Sequence, residues 1–180
     1  MKTPTTLGLT SLIVLTLGAF TIRERPVAQP SVGDGSSFLA EVHGADIHAS
    51  PTGTATYGVV ESSDGGPQVF TLSLGADGAS GSVLFTRTNG GRLVPGTDAI
   101  GGRDDGTDEI RALVVTGTAA HPTGVFRGQS GYLIVTSTQD NVIRGRFKLD
   151  ATGFVSSAPD DETRRIEAVG MFTATRQVAR

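Results

Sequence analysis

The sequence predicts an all-β protein: a single antiparallel β-sandwich or partly closed β-barrel of about nine or ten strands. Three observations carry that expectation. Apolar and polar residues alternate in one short run after another, the period-two pattern of half-buried strands. The breaks between runs hold Gly, Pro, Asn and Asp, and 25 of the 180 residues are Gly, enough to furnish a tight turn at each break. Past residue 22 no stretch keeps apolar residues at i, i+3, i+4 and i+7 over three turns. The crossover helices that a parallel sheet requires are therefore lacking.

Taken in order, the first strand begins at Phe38, with Phe38, Ala40 and Val42 on one face and Leu39, Glu41 and His43 on the other. A turn at Ser50-Pro51-Thr52-Gly53 leads to a strand over Thr54 to Val60. Asp64-Gly65-Gly66-Pro67 closes it and opens Gln68 to Leu74, where Phe70, Leu72 and Leu74 fall in line. Ala76-Asp77-Gly78 has the composition of a hairpin turn into Ser82 to Arg87, and Asn89-Gly90-Gly91 ends that run. A short extended piece around Thr97 to Ile100 precedes Gly101-Gly102-Arg103-Asp104-Asp105-Gly106. Glu109 to Thr116 is the most apolar strand; its consecutive Leu113, Val114 and Val115 predict cover on both faces. Gly124 to Arg127, Tyr132 to Ser137, Val142 to Ala151 and Arg165 to Arg176 complete the set. Asp160 to Arg165 has an acidic start and a basic end, which would suit one helical turn, but reads as a solvated loop.

Two segments precede this domain. Lys2 is followed by an uncharged, apolar stretch from Leu7 to Ile22, which Arg23-Glu24-Arg25-Pro26 ends. That is the layout of a secretory signal. As a helix it rises about 24 Å, short of the roughly 20 residues that a bilayer core requires. Residues 1–22 are therefore read as a signal peptide, with an uncleaved N-terminal anchor as the alternative. Residues 23–37 are a flexible linker and 38–180 the all-β domain. The expected location is exported, periplasmic or extracellular; the alternative is anchorage in the inner membrane by the N-terminal segment. Membrane contact is expected only through that segment.

Composition narrows the chemistry. The chain has no cysteine, which excludes disulfides, thiol nucleophiles, cysteine-ligated zinc and a lipid carried on cysteine. Its formal charge of −3 becomes −4 if a leader carrying Lys2 is lost, so no basic field draws nucleic acid. His43 and His48 are five residues apart, which puts them on opposite faces of an unbroken strand. A turn near Gly44 would bring them together. With no adjacent carboxylate cluster to supply a third ligand, they and His121 are read as surface residues, and no metal site or cofactor is assigned. Gly128-Gln129-Ser130-Gly131 and Gly78-Ala79-Ser80-Gly81 lack the Gly-x-Ser-x-Gly spacing of a nucleophile elbow. Asp104, Asp105, Asp108 and Glu109 supply oxygens of the kind calcium takes, without the spacing of a calcium loop. The best surface constellation is Arg144, Arg146 and Lys148, which alternation places on one face opposite Ile143, Phe147 and Leu149. Three cations in line are a candidate binding surface for an anionic glycan or an acidic protein partner.

The last two strands echo each other in Gly145-Arg146-Phe147 and Gly170-Met171-Phe172. Adjacent strands that send Phe into one core, with Gly where a ring comes close, account for the echo. Gly131-Tyr132-Leu133-Ile134-Val135-Thr136-Ser137, the turn at Gln139-Asp140-Asn141, Val142-Ile143-Arg144-Gly145-Arg146-Phe147 and Val169-Gly170-Met171-Phe172-Thr173-Ala174 together resemble the C-terminal half of a group of uncharacterised exported bacterial all-β proteins, many of them lipoprotein-like. Gly53-Thr54-Ala55-Thr56-Tyr57 and Pro95-Gly96-Thr97 are similar to their N-terminal half. The resemblance implies an exported all-β domain and transfers no catalytic residue. The functional expectation is an exported, non-enzymatic β-domain with an envelope-associated interaction or structural role. The alternative is a small β-barrel enzyme, a hydrolase or isomerase, with carboxylates in the barrel mouth.

Overall fold

The chain alternates because it lines a barrel. A computed structural model describes residues 35–60, 68–75, 80–88, 93–101, 109–118 and 120–177. Eleven strands and no helix are found among them: β1 (Ser37–Gly44), β2 (Ile47–Ala49), β3 (Thr52–Gly53), β4 (Ala55–Val60), β5 (Val69–Leu74), β6 (Gly81–Thr88), β7 (Gly96–Ala99), β8 (Arg111–Gly117), β9 (Pro122–Gln139), β10 (Val142–Val155) and β11 (Arg164–Arg176).

Seven of them form a closed ring in the order β4, β5, β6, β8, β9, β10, β11. Every neighbouring pair is antiparallel except the last. There β11 meets β4 in parallel, with Thr175 opposite Thr56 and Arg176 opposite Tyr57. The Gln177 amide extends this join by donating to the Tyr57 carbonyl at 2.8 Å. The other four strands fill out the wall. Along the edge of β11 that β4 also uses, β1 pairs from Ser37 opposite Thr173 to Gly44 opposite Ile166. β2 and β3 then pair with the far edge of β1. β7 takes the edge of β9 above β8, with Gly96 opposite Val135 and Ala99 opposite Tyr132.

Alternation then sends one face of each strand inward. Phe38, Ala40 and Val42 of β1, Phe70, Leu72 and Leu74 of β5, and Val83 and Phe85 of β6 are all buried. Phe147 of β10 reaches Phe85 in an edge-to-face contact at 5.2 Å, the preferred geometry for aromatic quadrupoles. Burying each such ring contributes on the order of 1.5–3 kcal/mol. The Gly-x-Phe echo is a reciprocal fit between β10 and β11. Gly145 stands opposite Phe172, and Phe147 stands opposite Gly170. A Cβ added at Gly145 would lie 2.7 Å from the Phe172 ring, and one at Gly170 would lie 2.6 Å from the Phe147 ring. Each glycine is the space that the other strand's phenylalanine occupies.

Several expectations need correction. β8 is covered on one face only: Val114 is buried, but Leu113 is 36% exposed and Val115 half-buried. A barrel wall one sheet thick has a single inner face, so three consecutive apolar residues cannot all be inside. Gly124 to Arg127 and Tyr132 to Ser137 belong to one strand, β9, which runs straight through Gly128-Gln129-Ser130-Gly131. Ser130 pairs with Asp150 and Gly128 with Ala151, which leaves Gln129 as the extra residue of a bulge. Gly131 takes a φ of 135°. The turn-like composition thus bends the strand rather than ending it. Thr52 and Gly53, read as turn residues, form β3 against β1. Asp160 to Thr163 are loop and turn, as read, with the Asp161 carboxylate accepting from the Thr163 amide and hydroxyl. The turns expected at Asp64–Pro67, Ala76–Gly78 and Asn89–Gly91, and the signal and most of the linker, lie outside the described residues.

Candidate functional site

The outer wall formed by β9, β10, β11 and β1 is where the three expected cations stand. Inward residues Ile143, Gly145, Phe147 and Leu149 are buried, so Arg144, Arg146 and Lys148 all project from the outer face. Their surroundings differ. Lys148 Nζ lies 2.7 Å from Glu167 Oε2. The hydrogen bond and charge of Glu167 raise the Lys148 ammonium above its ordinary value, so this cation is already matched by a carboxylate. Arg146 pairs in register with Met171 on β11 and Ile134 on β9, and Met171 pairs in turn with Leu39 on β1. Arg144 stands opposite Thr173 and Ser137. Neither arginine forms an ion pair among the described residues.

Arg146 therefore rises from an apolar surround, with Arg144 at its polar edge. Leu39, Ile134 and Met171 are half-buried, and Tyr132 and Val169 are 40% and 37% exposed. The Arg146 stem can lie along Met171 and Ile134 while its guanidinium stays in water. The arrangement offers charge complementarity and dehydratable surface in one patch. Sequence reasoning found the cations but missed their apolar flanks, because those residues come from three other strands.

A second polar group sits at the upper end of the barrel, where β4, β6, β9 and β11 finish. Arg87 follows Val83 and Phe85 in the inward series of β6, and Asp98 of β7 stands opposite the buried Leu133. Arg87 donates from its NH1 nitrogen to Asp98 Oδ1 at 3.1 Å, both side chains being largely shielded. Tyr57, stacked against Phe70 at 6.3 Å, buries its hydroxyl without a hydrogen-bond partner among the described residues. None of the three was singled out from sequence, since each lies in an ordinary alternating strand.

A depression of about 240 Å³ opens on the outer wall over β6, β8 and β9, lined by Leu84, Thr86, Arg111, Leu113 and Arg127. Among the described residues its lining holds no pair of carboxylates. Of the remaining candidates, Ser130 donates to Asp150 at 3.4 Å within a strand rather than standing at an elbow. His121 lies in the β8–β9 turn, where its amide donates to Thr118. Asp104, Asp105 and Asp108 lie outside the described residues. His43 and His48 are not on opposite faces but side by side, because the strand breaks after Gly44 and reverses.

Comparison with protein-family models, curated proteins and solved structures finds no match to this chain.

Proposed function

We propose that this protein is an exported, non-enzymatic β-barrel that binds a partner at the envelope through its outer wall, and that the partner is an acidic protein surface. One observation carries the reading: among the described residues Arg144 and Arg146 have no carboxylate partner, and they share one continuous face with Leu39, Ile134, Met171, Tyr132 and Val169. An anionic glycan would satisfy the charges but leave the apolar flanks wet, whereas a protein surface carrying Asp or Glu beside apolar side chains satisfies both. Lys148 serves such a surface less, since Glu167 already holds it.

The test compares the full chain with Arg144→Ala/Arg146→Ala for binding to immobilised acidic-aromatic peptides and to heparin. Arg146 is exposed and Arg144 half-buried on the outer wall; such outward substitutions change stability by about 0.5 kcal/mol or little more, so near-unchanged melting is the control. Salt-dependent peptide retention that the double variant loses at least tenfold supports the reading. Stronger retention on heparin than on every peptide reassigns the surface to glycans. Equal binding by both proteins, or none by either, removes the function from this face.

The barrel-enzyme alternative has one observation in its favour, the shielded Arg87–Asp98 pair at the end of the barrel. A lone, ion-paired carboxylate is a weaker starting point for acid–base chemistry than a coupled pair. Turnover of an ester or isomerisable substrate, abolished by Asp98→Asn, would favour it over the binding reading.

A further inference from the structure

The hairpin of β1 and β2 carries a separate constellation. Gly44 pairs with Ile47, so the loop is only Ala45-Asp46, with φ of 50° and 61°. Two consecutive left-handed residues are the mark of a type I′ turn, whose twist suits a two-residue hairpin. That turn sets the register in which His43 stands directly opposite His48. Both side chains point outward, since alternation sends Val42, next to His43 along β1, into the core and leaves His43 and His48 exposed.

The imidazole rings have their centres 4.4 Å apart and are tilted by 55°. Glu41, two residues before His43 on the same face, places Oε2 3.5 Å from His43 Nε2. Glu167 of β11 pairs with His43 from the other side, and Asp150 of β10 lies next in the same row. Of the nearby cations, Lys148 is engaged with Glu167 and Arg164 with Asp161 and Asp46, while Arg165, two residues before Glu167 in the same outward series, has no ion pair among the described residues.

We propose that His43, His48 and Glu41 form a binding site for a divalent transition-metal ion, with Cu²⁺ and Zn²⁺ the best fits. With metal–ligand bonds of about 2.1 Å, two ligand atoms on one tetrahedral ion stand roughly 3.4 Å apart, and the Glu41–His43 separation already has that span. Two imidazoles sharing one tetrahedral ion place their ring centres roughly 5.2 Å apart, so the two rings, 4.4 Å apart here, must spread on binding. Imidazole nitrogens select Cu²⁺, Zn²⁺ or Ni²⁺ over Ca²⁺ and Mg²⁺, which prefer all-oxygen sets. Asp150 adds a carboxylate further along the row, beyond the Lys148–Glu167 pair. Among the described residues no three such side chains already converge on one point, so His48 must turn toward Glu41 and His43, a motion that exposed side chains make on fast timescales. The remaining coordination positions face solvent.

The experiment titrates the full chain with CuCl₂ and ZnCl₂, with MgCl₂ as control, reading calorimetric binding, melting temperature and the copper electron paramagnetic resonance spectrum. The expected result is one equivalent bound, nitrogen hyperfine structure from two imidazoles, and a rise in melting temperature with metal, as follows from binding to the folded state alone. His48→Gln and His43→Gln should each weaken binding at least tenfold and Glu41→Gln severalfold, while His121→Gln leaves it unchanged. All four positions are exposed, so metal-free melting should match the parent protein and certify the fold. No binding at millimolar metal, or affinity unaltered in His43→Gln and His48→Gln, overturns the proposal.

Discussion

β11 is held along its two edges in very different ways. On one edge β10 pairs with it without a register shift from Val142 opposite Thr175 to Gly153 opposite Arg164, and the Gly–Phe exchange locks the faces together. On the other edge, among the described residues, the ring closes onto β4 through Thr175 and Arg176, with one further bond from Gln177. The lower part of that edge belongs to β1. Closing a barrel removes exposed edges, yet closure here rests on a short parallel join beside a long antiparallel one. The strong interface specifies which strands are neighbours; the weak one specifies where the barrel can open.

The contrast can be broken most severely at the strong interface. Phe147→Ala should cost about 3–5 kcal/mol, since it empties the space between Gly170 and Phe85. Denaturant midpoints would show it, and a loss below 1 kcal/mol would mean that the reciprocal fit contributes little. Gly170→Ala should cost about 1–3 kcal/mol, because the new methyl meets both the Phe147 ring and the Leu39 carbonyl. Combined with Phe147→Leu, that cost should fall, the non-additivity expected of residues in contact.

The weak join is sharpened by hydrogen exchange. The Gln177 amide should exchange much faster than amides of β10 that face β11, reporting local opening at the seam. Equal protection would erase the distinction. At the same seam Tyr57→Phe removes a buried hydroxyl that has no partner among the described residues. It should leave stability unchanged or raise it by about 1 kcal/mol; a loss of more than that would reveal a partner for the hydroxyl.

The smallest effect lies where β11 begins. Hydrogen bonds from the Thr163 hydroxyl and amide, and then from Arg164, hold the Asp161 carboxyl below its ordinary value. A depressed carboxylate stabilises the fold fully above its unfolded pKa, near pH 4, and that contribution disappears as pH falls through the lowered folded value. Asp161→Asn should therefore narrow the gap in melting temperature between pH 6 and pH 2 slightly. An unchanged gap would show that the exposed carboxylate is not linked to folding.

Much of this was legible in the chain. Alternation identified the inward faces of β1, β5 and β10, because a side chain's face depends only on its parity along an extended strand. It also placed Arg144, Arg146 and Lys148 together on the outside, and the Gly-x-Phe echo marked two strands that pair side by side. The same parity could not say that Leu113 looks outward, that Gly128 to Gly131 bends a strand instead of ending it, or that sandwich gives way to a closed ring. Those outcomes depend on which strands become neighbours. The candidate sites divide in the same way: the cations were local, but their apolar flanks come from β1, β9 and β11, and Arg87 meets Asp98 only across two strands. The His43–His48 pair sits between the two cases. Its residues and the glycine at the bend were visible, but two left-handed residues in a type I′ turn decided that the rings meet, and the pairing of β11 with β1 decided that Glu167 joins them. Periodicity is a property of the chain, and it determined the faces. Neighbourhood depends on the free energy of closing the whole wall, and only the tertiary structure decided it.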